Sequence, residues 1–248
     1  MKFFVFLLWI LLLVSCASEK PEGKTAAEVL FKEAKALMDD ERYLLATEKL
    51  NQIKNQYPYS YYATPSELLQ ADILFLQENF TDSAAAYLLF KDFHPKHPQS
   101  AYVVYKIAES YYKQLPDTND RDLEAAHEAI KYYGELITKY ANSEYTKDGQ
   151  KKIDECKGRI KAYEQYVADF YFKTEEYSAA RWRYFDILAN FQSSDLRSHS
   201  MQRIVLSTYY LKEYENCITY ANKYTQELTK SDKEVVNEYT RYCKNKLN

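Results

Sequence analysis

His94 and His97 stand three residues apart in the stretch HPKHP, and Cys16, Cys156, Cys217 and Cys243 are the thiols of the chain. Imidazole and thiolate are the usual ligands of zinc, and a thiolate is also a nucleophile. Pro95 and Pro98 prevent a regular helix across the histidine pair, and no third ligand is close in sequence. The motif therefore reads as a solvated turn rather than a metal site. Other chemistries lack their frames. Gly23, Gly134, Gly149 and Gly158 are scattered, so no loop can cradle a phosphate, and GxSxG, HExxH and paired CxxC motifs are absent. Asp and Glu are spread over every segment, which leaves no acid/base pair to assign. No metal or cofactor is implied, and an enzyme is not expected. The formal charge of −3 argues against a nucleic-acid partner, which needs a clustered basic surface.

Cys16 differs from the other cysteines in its setting. Lys2 precedes an apolar run from Phe3 to Val14, then come Ser15 and Cys16. The run is too short to span a bilayer, which takes about 20 apolar residues. The junction Leu13-Val14-Ser15-Cys16 resembles the lipobox of bacterial lipoproteins. It implies that 1–15 is a signal peptide, that Cys16 is acylated, and that 16–24 is the lipidated residue with its tether. Several acyl chains, at about 0.8 kcal/mol per buried methylene, would anchor the protein stably. Ala17 stands where Asp would mark inner-membrane retention in enterobacteria, so the outer membrane is expected. The compartment is then oxidising and leaves three further cysteines, an odd number. They read as small buried hydrophobes in preference to a disulfide.

The rest of the chain must be built from helices. Four glycines and six prolines are few for 248 residues, and helix formers are abundant. Self-comparison aligns ERYLLATEKLNQI, ENFTDSAAAYLLF, EEYSAARWRYFDI and KEYENCITYANKY. Each has an aromatic anchor, Tyr43, Phe80, Tyr177 or Tyr214. Three positions later comes a small residue, Ala46, Ser83, Ala180 or Cys217, and Ala129 fills that slot in an intervening unit. Before the anchors lie apolar residues at helical spacing, such as Leu30, Ala34 and Leu37, or Leu69, Ile73 and Leu76. Pro58 and Pro95 follow the second helices. Helix, polar turn, helix and proline resemble the tetratricopeptide repeat. The expected fold is all-α: a right-handed superhelical solenoid of about five such pairs, near 26–60, 63–97, 99–143, 145–193 and 195–230. A capping helix follows near 231–246. Gln114–Asp122 should form a loop inside the third pair, and the fourth pair should have a long first helix. The glycine usual before the turn is replaced by Asp39, Asp40 or other charged residues.

Several stretches are more specific than a repeat. They are NQYPYSYYA from Asn55, the PxHP turn at Pro95, His97 and Pro98, and the DRD loop at Asp120–Asp122. The NSxY turn at Asn142, Ser143 and Tyr145 leads into a helix carrying Ile160, Glu164, Val167, Ala168, Phe170 and Tyr171. In this order they resemble the BamD family of outer-membrane β-barrel assembly lipoproteins, over nearly the whole chain after the tether. The resemblance implies a scaffold and substrate receptor, lipid-anchored at the periplasmic face of the outer membrane. Its partners would be the periplasmic domains of BamA, unfolded outer-membrane proteins, and other assembly lipoproteins. The repeats in 25–143 would form the groove for the substrate signal, with Tyr57 as a contact. The repeats in 144–248 would face BamA, with Arg183 as the contact. Ala141 replaces the family's Pro after Tyr140, and Tyr59–Tyr62 is unusually aromatic. A different repeat-containing envelope lipoprotein, acting as an adaptor, is the alternative.

Overall fold

A computed structural model describes residues 23–247, so Cys16 and the signal segment lie outside the described residues. The described chain is all helical. The helices are α1 (Ala26–Asp39), α2 (Tyr43–Gln56), α3 (Ala63–Leu76), α4 (Phe80–Phe93), α5 (Ser100–Tyr112) and α6 (Glu124–Lys139). They continue as α7 (Thr146–Lys173), α8 (Tyr177–Asn190), α9 (Ser194–Tyr210), α10 (Tyr214–Tyr224) and α11 (Lys230–Leu247). These are five tetratricopeptide-like pairs and a terminal helix. The 28-residue α7 and the loop between α5 and α6 fall where the sequence puts them. The chain divides into two compact units after Pro95, the first holding α1–α4 and the second α5–α11.

The turn within four of the five pairs has one construction. Glu41, Glu78, Glu175 and Lys212 have φ of 59°, 59°, 66° and 63°, each two residues before its aromatic anchor. The next N–H reaches back five residues: Arg42 to Leu37, Asn79 to Leu74, Glu176 to Tyr171, and Glu213 to Thr208. This is the Schellman closure, which satisfies carbonyls that the helix end leaves open. A side chain at positive φ is strained by roughly 1–2 kcal/mol. Glycine would relieve that strain and lose about 0.5–1 kcal/mol in chain entropy. Glu78→Gly, at an exposed site, should therefore raise stability by about 0.5–1 kcal/mol. A melting temperature at or below that of the unmodified chain would contradict this.

The small positions make the helix contacts. Ala46, Ser83, Ala129, Ala180 and Cys217 are all fully buried. One turn later stand Leu50, Tyr87, Tyr133, Tyr184 and Ala221, also buried. In three pairs the buried phenol donates to a carboxylate on the first helix: Tyr87 to Asp72, Tyr133 to Glu109, and Tyr184 to Asp169. A phenol hydroxyl without an acceptor in such a core would be costly. The first and last partners are 15 residues apart and the middle pair 24. The nine extra residues equal the loop Gln114–Asp122. Leu76 departs from its expected core position and is half exposed, because it lies in the last turn of α3. Leu68, Ala71 and Ile73 carry that contact instead.

The cysteine reading needs correction. Cys217 and Cys243 are joined in a disulfide, with Cα atoms 6.5 Å apart, linking α10 to α11. Among the described residues, Cys156 is the one free thiol; it is buried, and burial pushes its pKa up to about 11. Cys217 does fill the small-residue slot. The packing of α11 against α10 also brings the fully buried Cys243 to it.

Candidate partner-binding site

The histidines are occupied by structure. His94 Nε2 lies 2.8 Å from a carboxylate oxygen of Glu67, and its ring packs on Phe90. His97 Nδ1 accepts the backbone N–H of Gln99 at 3.2 Å, within the turn that leads into α5. Among the described residues, no three His, Cys, Asp or Glu side chains gather as a metal site would require. Cys156, with its raised pKa, stays a neutral thiol and is no nucleophile near pH 7.

Tyr57 caps the C-terminus of α2. Its N–H donates to Ile53 O at 2.8 Å, and its carbonyl accepts the N–H of Ser60 at 3.0 Å. Pro58 cannot continue the helix, so the chain turns here. The Tyr57 side chain is half-buried.

Arg183 lies on α8. The buried stripe of that helix is Ala180, Tyr184 and Ile187, and Arg183 emerges at its edge with a side chain 42% exposed. One guanidinium nitrogen lies 3.8 Å from Glu164 on α7, too far for a hydrogen bond. Arg181 behaves differently. Its two terminal nitrogens meet the two oxygens of Glu213 at 2.6 and 3.1 Å, tying α8 to the turn before α10. Hydrogen bonds from Arg181 and Asn216 hold the Glu213 carboxyl below its ordinary pKa. The paired fork is thus committed inside the fold at Arg181, while the Arg183 guanidinium is loosely placed beside Glu164.

Between them stands Trp182, 68% exposed, with Phe185 beneath it in an edge contact. Sequence reading passed over this residue. The signal was available, since two residues from Ala180 is about 200° around a helix, on the outward side. Trp and Arg are the residue types that most often dominate interfaces.

Polar contacts tie α7 to its neighbours. Asp169 accepts from Tyr184 at 2.6 Å and pairs with His199 at 2.7 Å. Burial works against its charge, but the bonds from His199 and Tyr184 prevail and its pKa is lowered. Between α5 and α7, Lys152 pairs with the buried Glu109 and lies 3.4 Å from Asp148. Tyr105 donates to Asp148 at 2.9 Å, and Tyr112 to Glu155 at 2.5 Å. No helix among the described residues is long and apolar enough to cross a membrane.

Comparison with known proteins bears on the chain as a whole. The chain is 29% identical to the outer membrane protein assembly factor BamD of Rickettsia prowazekii over 220 residues, covering 88% of this chain and 86% of the relative. It is 26% identical to BamD of Neisseria gonorrhoeae over 79% of this chain and 80% of that one. Among solved structures, the TPR2AB domain of yeast Sti1 covers 91% of the chain, and 85% of that domain is covered, at 12% identity and a TM-score of 0.44. The profile of the YfiO family, described as an outer membrane lipoprotein, matches residues 24–211, from before α1 to beyond the end of α9. With this match over most of its length, the chain belongs to the YfiO family of outer-membrane lipoproteins.

Proposed function

We propose that the protein is a lipid-anchored scaffold and substrate receptor of the machinery that assembles β-barrels in the outer membrane. The observation that carries this reading is the family match through α1–α9, together with the similarity to BamD assembly factors. A stack of helix pairs offers extended surface and no reactive centre, which suits binding better than catalysis. In this reading the helices after residue 143, with Arg183 and Trp182, face BamA. Those before it, with Tyr57, receive the signal segment of unfolded outer-membrane proteins. Other assembly lipoproteins are further partners of the same complex. The exposed Trp182 and the loosely held Arg183 guanidinium support the first assignment.

The test is solubilisation of membranes with the tagged protein as bait. BamA should be captured, and depletion of the protein should lower outer-membrane barrel levels. Capture of other envelope proteins without BamA would favour the adaptor reading. The anchor has its own prediction. Cys16→Ala removes the thiol that accepts lipid, so the precursor should remain unacylated and uncut by the lipoprotein peptidase. A mutant processed as usual and still held in the outer membrane would contradict the anchor.

A further inference from the structure

The turn between α2 and α3 reads Tyr57-Pro58-Tyr59-Ser60-Tyr61-Tyr62. Tyr62 turns inward and packs on Phe31 of α1, with ring centroids 5.3 Å apart. Tyr59 and Tyr61 turn outward and are 101% and 82% exposed. The backbone gives them little freedom to fold back. Ser60 N–H donates to Tyr57 O, and Ala63 N–H to Ser60 O, so the turn is closed on itself. Phe93 ends α4 and is 71% exposed. Its neighbour His94 is bound to Glu67, in the second turn of α3. Tyr59, Tyr61 and Phe93 therefore share one end of the first unit.

That end is also where the chain enters. Lys49 and Glu33 are bridged at 2.6 Å across the α1/α2 hairpin. Seven residues back from Glu33 is Ala26, the first residue of α1, and seven on from Lys49 is Gln56, the last of α2. The start of α1 is thus level with the aromatic turn. Nine residue steps separate Cys16 from Thr25, and an extended chain of that length spans at most about 32 Å. The opposite end of the same hairpins exposes leucines, Leu44 and Leu76, and lies about 20 Å away along 14-residue helices.

Tyrosine is the side chain suited to the boundary of a bilayer. Its ring prefers the acyl edge, and its hydroxyl stays among headgroups and water. We propose that this end of the first unit rests in the headgroup layer of the leaflet that holds the anchor, with Tyr59 and Tyr61 as interfacial contacts and Phe93 beside them. The inference rests on the reading of Cys16 as the lipidated residue. Its consequence is orientation. The short tether limits distance alone, whereas a second contact at the turn fixes which end of the unit faces the lipid.

The test uses the full-length lipidated protein in vesicles of phosphatidylethanolamine and phosphatidylglycerol, with and without brominated acyl chains. Processing before Cys16 removes Trp9, and Trp182→Phe removes the other native indole. Tyr59→Trp or Tyr61→Trp then places a reporter in the turn, and Leu76→Trp places one at the far end. The turn reporters should shift to shorter wavelength on vesicle binding and lose most of their emission to bromine. The Leu76→Trp reporter should do neither. A lipidated, vesicle-bound protein whose turn reporters are unquenched overturns this inference alone, as does equal quenching at both ends. A chain whose measured mass shows no acyl groups overturns the anchor reading and this inference with it.

Discussion

Unfolding the Cys217→Ala/Cys243→Ala double mutant should require about 3–4 kcal/mol less free energy than unfolding the oxidised protein. The bond closes a loop of 26 residues, and its removal returns that loop's entropy to the unfolded chain. Alanine at 217 is chosen because Ala46, Ala129 and Ala180 fill the same slot, so the mutation adds little strain of its own. The effect should be local as well as global. Among the described residues, α11 follows the last pair and packs on α9 and α10. Its fully sequestered side chains are Val236 and Cys243. With the bond gone, Val236, the Ser198–Asp232 hydrogen bond and the rings of Tyr239 and Tyr242 against Tyr209 and Tyr210 still hold it, but no covalent tie does, so α11 should exchange its amides faster than α9. Urea titration with and without reductant is the measurement. Oxidised wild type should have the highest midpoint, and reduced wild type should fall to that of the double mutant. Equal midpoints in all three would show that the bond stabilises nothing.

Arg183→Glu should abolish capture of BamA while leaving the helices intact. If the guanidinium meets a desolvated carboxylate on the partner, reversing its charge costs several kcal/mol, or at least about 100-fold in affinity. Lysine keeps the charge and loses the fork, so Arg183→Lys should be milder. The fold has little at stake. The contact with Glu164 is 3.8 Å long and partly exposed, and such pairs contribute about 1 kcal/mol at most. Trp182→Ala should weaken capture by about 2 kcal/mol or more if the indole is buried by the partner. Glu164→Gln frees Arg183 from its internal neighbour and should not weaken capture. Pull-downs with each variant, beside helical circular dichroism, separate contact from folding. Full capture by a folded Arg183→Glu protein would remove this residue from the interface.

Much of the fold was legible because the small slots are a physical necessity. Two helices cannot approach closely unless Ala46, Ser83, Ala129, Ala180 or Cys217 lets them, so spacing alone located the pairs. The aromatic anchors were found equally well, yet they are only half-buried. The deeper side chains are the ones four positions after each small residue, which a search for aromatic anchors does not rank. The left-handed turn residues were hidden because none is glycine, and a Glu or Lys carries no mark of positive φ. The disulfide was hidden for another reason. Cys217 and Cys243 are in different helices, and nothing in their spacing says that α11 folds back on α10. At the candidate site, Arg183 was singled out by the family resemblance, and its offset from Ala180 agrees with its place at the edge of the buried stripe. The sequence could not separate Arg183 from Arg181, whose partner Glu213 lies 32 residues away.

The middle phenol–carboxylate rung survives nine inserted residues without losing its acceptor. That makes Gln114–Asp122 a natural port for foreign sequence. Asp117, Thr118, Asn119 and Asp120 are all exposed, and Arg159 grips the loop at the carbonyl of Pro116, just before them. Closure entropy rises by only about 0.6 kcal/mol for each doubling of loop length. An epitope or a dye-binding tag spliced after Thr118 should therefore be carried with little loss of stability. The living envelope could then be imaged with a label on the second unit, leaving Arg183, Trp182 and the aromatic turn untouched.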